Sequence, residues 1–321
     1  MTFGPGFFRL ILAGLVVVTH LSRYRIGITA VMVFFILSGY WVTRMYCEKY
    51  RSTRNAPLDF YISRFLRLWP AFVVAVLFAL ALRWALGLEV DPMGFTALPL
   101  LGVAVHQHDP LGISWSLDVE LQFYFMLPLL LFAAERARRA TVVLVAALTV
   151  AAIWFNYTVL FETVFCYLPA FFAGMLIYLM RINAGPRAAI LSLVLFLAAG
   201  WGMTLSPATV GFVTAPSMQA EIVRPGTMLW ALTLTPFVAW NVRQHSTGFD
   251  RALGDLSYSL YLTHYPLVAA IGTLTGGFSS MQKVGMVILI ATVALAFYGL
   301  IDRPIEIWRA RLMKKRLARH A

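Results

Sequence analysis

FFRLILAGLVVVTHLSRYRIGITAVMVFFILSGYWVTRMY, residues Phe7 to Tyr46, decides the fold. Two apolar runs, 7–22 and 27–46, flank a short link carrying Ser22, Arg23 and Arg25. Each is close to the ~20 residues with which a helix crosses a hydrocarbon core ~30 Å thick. The pattern recurs along the chain at 68–88, 114–134, 140–156, 162–180, 188–206, 226–241, 258–276 and 284–301. In lipid every backbone N–H and C=O must be satisfied internally, and runs of this length do so as helices. The expected fold is an all-α polytopic membrane protein of about ten transmembrane helices.

Composition agrees, since 60% of the 321 residues are hydrophobic and only 12% charged, against about 25% charged in ordinary globular chains. A secreted, cytosolic or disulfide-built protein is excluded. Cys47 and Cys166 lie far apart, each in or beside an apolar run, which supports neither a disulfide framework nor a zinc site. The apolar start could pass for a signal peptide, but no small-residue cleavage site follows and Arg23 and Arg25 come next. It reads as a retained span.

A net charge of +12 would suggest nucleic acid in a soluble chain. Here it is topological, and no nucleic-acid partner is expected. With both termini cytoplasmic, 21 of the 26 Lys and Arg fall inside, as the positive-inside rule requires; an odd number of spans would spoil the asymmetry. Residues 1–306 read as one membrane-embedded domain and 307–321 as a basic cytoplasmic tail meeting anionic lipid. The longest outer segment, Leu88 to Ile113, carries Glu89, Asp91, His106, His108 and Asp109. Alternating histidines on a loop are a poor metal signal, and no metal site is expected.

Ionisable residues inside spans cost about 2.5 to 3.5 kcal/mol on insertion scales and are functional candidates by default. Arg9 and His20 are eleven residues apart, three helical turns plus ~20°, so they share a stripe ~16 Å long. A snorkelling arginine and a carbonyl-bonded histidine would be the structural alternative. Arg64 and Arg67, in the loop before the third span, stand three apart on one helical face, where two guanidiniums can clamp a phosphorylated ligand. Topogenic arginines on lipid phosphates would look the same. Ser116, Glu120 and Tyr124, at i, i+4 and i+8, put a hydroxyl, a carboxyl and a phenol on one face of the fourth span. Ser257, Tyr261 and His264 form a second polar stripe entering the run at 258–276, and Pro266 can break or kink the helix just beyond the histidine. For His264, binding or packing is favoured over direct chemistry.

Together these segments resemble the acyltransferase-3 family of integral membrane acyltransferases from about Phe7 to Glu306. The R-x10-H pair corresponds to Arg9 and His20, and FFxLSGF to Phe34 through Tyr40, with Ser38 inside it. FxxxRxxRxxP corresponds to Phe60, Arg64, Arg67 and Pro70; WSLxVExQFY runs from Trp115 to Tyr124, and SYSLYLxHxP from Ser257 to Pro266. Asp302-Arg303-Pro304 supplies a closing acidic-x-Pro. The chain departs from the family where Val31-Met32-Val33 replaces a frequent acid, where Asp118 stands for a frequent Ser, and where Leu10 stands for a frequent Gly.

The resemblance implies an O-acyltransferase of the bacterial inner membrane that takes an acyl group, usually acetyl, from cytoplasmic acyl-CoA. The acceptor would be a hydroxyl of a surface or lipid-linked glycan. His20 is then the general base or an acylated intermediate, Arg9 stands in the catalytic set with it where the pantetheine arm passes, and Arg64 and Arg67 bind the donor's phosphates. Glu120 orients the imidazole, while Ser38, Trp115, Tyr124, Tyr261 and His264 line the substrate path. A proton-coupled transporter, which uses the same intramembrane residue types, stays open beside it. So do an acyltransferase with a lipid or protein acceptor and a non-catalytic sensor.

Overall fold

The computed structural model describes residues 4–102, 108–159, 163–214 and 220–318. Among them the chain is helical throughout and forms no strand beyond one isolated bridge, Tyr24 to Thr214. The helices are α1 (Pro5–Leu21), α2 (Ile26–Met45), α3 (Ala56–Ala85), α4 (Ser114–Arg136), α5 (Arg138–Val159) and α6 (Leu168–Leu179). They continue as α7 (Pro186–Thr204), α8 (Ala220–Leu232), α9 (Thr235–Asn241), α10 (Gly248–Thr275), α11 (Ser280–Phe297) and α12 (Arg303–Ala318). Single π turns, Tyr46–Tyr50 and Tyr298–Asp302, extend α2 and join α11 to α12. Six helical segments are long and apolar enough to cross a membrane, and α1 and α6 are shorter apolar helices. The protein is therefore multi-pass.

A helix occupies at least part of every apolar run, with α6 covering only Leu168–Leu179 of the run at 162–180 and with three further differences from expectation. First, α3 begins at Ala56 instead of near residue 68, so Arg64 and Arg67 lie inside it and not in a loop. Second, the run at 226–241 is divided between α8 and α9, the second restarting with Pro236 in its first turn. Third, α10 begins at Gly248, ten residues before the run at 258–276, and it passes through Pro266 to end at Thr275. Proline inside a membrane helix is tolerated where neighbouring groups satisfy the freed carbonyl.

The described residues divide into two compact units, Met1–Met45 with Phe123–Gly254, and Tyr46–Gln122 with Asp255–Ala321. In the first, α2 and α6 touch backbone to backbone. A Cβ on Gly39 would overlap the carbonyl oxygen of Phe171, and one on Gly174 that of Ile36. Without a hydrophobic force between helices in lipid, such close approach is what holds them. Phe35, Phe171 and Phe123 stack beside that contact, with centroids 4.5 and 4.2 Å apart. In the second unit α12 lies along the start of α3. Arg316 Nε donates to the fully buried Asp59 at 2.5 Å, Arg309 Nη1 donates to Ser63 Oγ at 2.7 Å, and Met313 is fully buried. The stretch that composition reads as a basic tail is thus helical and docked as far as residue 318.

Candidate active site

The stripe on α1 is fixed at both ends. At the N-terminus Asp250 accepts the backbone N–H of Phe7 at 2.9 Å and of Gly6 at 3.1 Å, and the Ser246 hydroxyl at 2.7 Å. These N–H groups have no partner within the helix, so a carboxylate there caps them and meets the positive end of the helix dipole. Burial pushes the Asp250 carboxyl up, but the hydroxyl and the two N–H groups outweigh it and hold it below the ordinary carboxylate range. Arg9, one turn on, packs toward Gly254 of α10, where a side chain would stand 3.6 Å from its Nη1. At the other end Thr19 Oγ1 accepts Gly27 N–H at 2.6 Å and donates to Leu15 O at 3.2 Å, locking the α1–α2 turn beside His20. His20 is half-buried in the last turn of α1. Ser38, also half-buried, precedes Gly39 on α2, and Tyr124 is buried on α4. These residues belong to the first unit.

Arg64, Arg67, Trp115, Glu120, Tyr261 and His264 belong to the second. There the two polar stripes meet, Ser116 Oγ and Tyr261 Oη sharing a 2.7 Å hydrogen bond. Glu120 lies one turn along α4, half-buried, and Trp115 is half-buried in the helix's first turn. Asp109 starts that helix by accepting the N–H of Leu111 and Ser114 and the Ser114 hydroxyl. His264 is fully buried and turns back on its own helix, with Nδ1 2.7 Å from Tyr261 O and 3.1 Å from Leu260 O. A carbonyl only accepts, so Nδ1 carries the proton and Nε2 is the basic nitrogen.

Arg67 has the most elaborate surroundings. Nη1 donates to Asp302 Oδ1 at 2.9 Å, Nη2 lies 3.7 Å from Asp255 Oδ1, and Nε lies 3.7 Å from Glu306 Oε2. The guanidinium also stands over the Tyr258 ring at 4.9 Å, and that phenol donates to Leu68 O at 2.9 Å. Sequence reasoning named Arg67 and, in a separate motif, Asp302, but did not pair them, and the partners come from more than 180 residues away. The acidic-x-Pro motif explains the nearest one. Pro304 has no N–H, and its ring would clash with the carbonyl four residues back in a regular helix. The π turn at Tyr298–Asp302, closed by Arg303 N–H on Tyr298 O, opens that turn by one residue and ends on Asp302, the residue that meets Arg67.

The segment before α4, where described, is pinned by acids. Asp118 is fully buried and accepts Gly102 N–H at 2.9 Å and Gln122 Nε2 at 3.0 Å. Asp91 accepts His108 Nδ1 at 2.6 Å and Met93 N–H at 2.9 Å, and the histidine bond, then the backbone bond, holds its carboxyl below the usual range. His106 lies outside the described residues. Among those described, no cluster of three His, Cys, Asp or Glu side chains could hold a metal.

The sequence profile of an acyltransferase domain, that of the acyltransferase-3 family, matches residues 4–301. A protein of Komagataeibacter xylinus named as a membrane-bound transacylase, BcsY, is 26% identical over 90% of this chain and 79% of its own length. Nodulation protein 10 of Rhizobium leguminosarum bv. viciae is 32% identical over 36% of this chain and 36% of its own. The alignment with the nodulation protein thus spans about a third of that relative. No solved structure matches. With a domain match running through nearly all of the helices described, the chain belongs to the acyltransferase-3 family of membrane acyltransferases.

Proposed function

We propose that the protein is an O-acyltransferase of the bacterial inner membrane, with ten crossings and both termini cytoplasmic. It moves an acyl group, in the simplest case acetyl, from cytoplasmic acyl-CoA to a hydroxyl of a surface or lipid-linked glycan. The observation that carries this reading is the domain match over 4–301, within which the Arg9/His20, Arg64/Arg67, Trp115–Tyr124 and Ser257–Pro266 motifs stand in order. The transacylase name of one relative supports acyl transfer.

In this mechanism the His20 imidazole takes the proton of the acceptor hydroxyl as its oxygen attacks the thioester carbonyl. The new ester forms, the carbon–sulfur bond breaks, and the imidazolium returns its proton to the departing thiolate. Such general-base catalysis contributes about 10²- to 10⁴-fold. Glu120 orients the imidazole and compensates its transient charge, as the acid of a catalytic triad does. Arg9, Arg64 and Arg67 meet the donor, and Ser38 and Tyr124 supply hydrogen bonds to the oxyanion. Trp115, Tyr261 and His264 line the substrate path.

The test incubates purified protein with labelled acetyl-CoA and isolated envelope glycans. Label on the glycan, lost in His20→Ala, is the expected result. Label on lipid or protein alone would move the acceptor elsewhere, and solute flux in vesicles without acyl-CoA consumption would replace transfer by transport. Wild-type transfer by His20→Ala would remove the histidine from the chemistry.

A further inference from the structure

The turn between α1 and α2 carries two arginines that the catalytic set does not use. With both termini cytoplasmic, 21 of the 26 basic residues lie inside and five outside, and the rule that sets orientation keeps bases off the outer surface. Two of those five, Arg23 and Arg25, stand two residues apart in this one turn. Arg83, another of the five, is committed to the end of its own helix, where Nε donates to Glu89 O at 2.8 Å. Arg23 is exposed and Arg25 half-buried, and among the described residues neither guanidinium has a hydrogen bond or an ion pair.

The backbone beneath them is fixed. Arg25 N–H donates to Val213 O at 2.8 Å, Tyr24 pairs with Thr214 in the isolated bridge, and Ser22 Oγ accepts Tyr24 N–H at 3.2 Å. Thr19 Oγ1 takes Gly27 N–H at 2.6 Å, and a Cβ on Gly27 would stand only 2.6 Å from that oxygen. Two residues of chain span at most ~7 Å, so both guanidinium forks reach one anionic group; three span at most ~11 Å, which keeps that group near His20. A turn already braced loses less freedom on binding, and a guanidinium meets a carboxylate or a phosphate through two parallel N–H bonds.

Building on the acyltransferase reading and its topology, we infer that the acceptor is acidic. It is a glycan bearing a carboxylate or phosphate, which Arg23 and Arg25 hold so that one of its hydroxyls comes to His20. Outer-leaflet lipid phosphate offers arginines the same chemistry, but lipid contact requires neither a braced turn nor nearness to the imidazole.

The experiment gives purified protein, in nanodiscs of zwitterionic lipid, labelled acetyl-CoA and an acidic envelope glycan in two forms, native and stripped of charge by carboxyl reduction and dephosphorylation. The wild-type KM for the native glycan is expected to lie about fivefold or more below that for the stripped form, and the gap should narrow as salt is raised. Combining Arg23→Gln with Arg25→Gln is expected to close the gap through the glycan KM, with the KM for acetyl-CoA unaltered. Neither side chain takes part in the bonds that brace the turn, so the double variant should keep the wild-type thermal stability. Equal use of both glycans by the wild type overturns the inference, as does a gap that survives in the double variant. Loss of bound anionic lipid from the double variant, read by mass spectrometry, with the glycan preference intact, assigns the arginines to lipid and overturns it too. If the wild-type protein labels neither glycan, the proposed function falls first and takes this inference with it.

Discussion

Ser116 on α4 and Tyr261 on α10, 145 residues apart in sequence, are joined by a buried 2.7 Å hydrogen bond. Each belongs to a different family motif, and Ile113 O, 3.2 Å from Ser116 Oγ and 3.4 Å from Tyr261 Oη, can accept the proton of whichever hydroxyl is the acceptor in the pair. The tie holds the opening turn of α4, and with it the turn bearing Glu120, against the polar face of α10.

A double-mutant cycle reads the strength of that tie. Ser116→Ala and Tyr261→Phe are each expected to cost about 1 kcal/mol, measured as thermal or denaturant stability in detergent. The double variant should lose less than the sum, by about 0.5 kcal/mol or more. Strict additivity would mean the two hydroxyls do not depend on one another.

The contact between α2 and α6 makes a sharper prediction. Gly39→Ala and Gly174→Ala each place a methyl group on a backbone carbonyl of the other helix, and backbone yields less readily than a side chain tip. Each should destabilise by about 1 to 3 kcal/mol, the usual cost of overpacking. Gly285 on α11 has nothing within 4 Å of its Cβ position, so Gly285→Ala should stay within about 0.5 kcal/mol of wild type. Equal effects at the three sites would deny that the helices meet through their glycines.

The apolar runs were legible because burial in lipid demands uninterrupted hydrophobicity, and that is a local property. The start of α3 was not, because Asp59, Ser63, Arg64 and Arg67 interrupt the run there. Three of those residues are satisfied by α12 or the turn before it, through Arg316, Arg309 and Asp302. Hydropathy read in a window of twenty residues has no means of seeing partners more than 200 residues away. Pro266 left two outcomes open: a proline announces a lost hydrogen bond, and the surrounding helices decide whether the helix survives it, as α10 does. Among the candidate site residues, helical spacing placed Ser116 and Tyr261 on polar faces correctly but could not say that the two faces touch. For Arg67 the motifs supplied the cation and, separately, Asp302, but not that the two meet.

Asp250 gives the protein a pH-dependent element at the start of α1. Its folded-state carboxyl titrates below the ordinary range near 4. The stabilisation is therefore complete above that ordinary value and disappears as pH falls through the lower, folded-state one. Asp250→Ala should cost about 1 kcal/mol at pH 7, as the loss of a helix cap does. Asp250→Asn keeps an acceptor oxygen and should cost less, but its stability should lack this component of the decline below the ordinary carboxylate value. A wild-type curve that declines no more steeply than that of Asp250→Asn would show that the cap does not require charge.

Asp118 departs from the Ser that the family resemblance leads one to expect, and its geometry gives the departure a physical consequence. The fully buried carboxylate reaches Gly102 N–H, on a residue whose φ of 91° few side chains other than glycine accept, and its other oxygen takes Gln122 Nε2. A serine is shorter by one bond and has a single oxygen, so it cannot make both contacts. Asp118→Ser should therefore release the outer segment at Gly102 while leaving α4 in place, because the start of that helix is held separately by Asp109. A hydrogen bond to a charged group contributes about 1.5 to 3 kcal/mol, so amide exchange at Gly102 should accelerate about tenfold or more. Amides in the middle of α4 should be unaffected. If Gly102 stays as protected as in the wild type, the carboxylate does not anchor the segment; if the whole of α4 loosens with it, Asp118 supports the helix itself and not the loop above it.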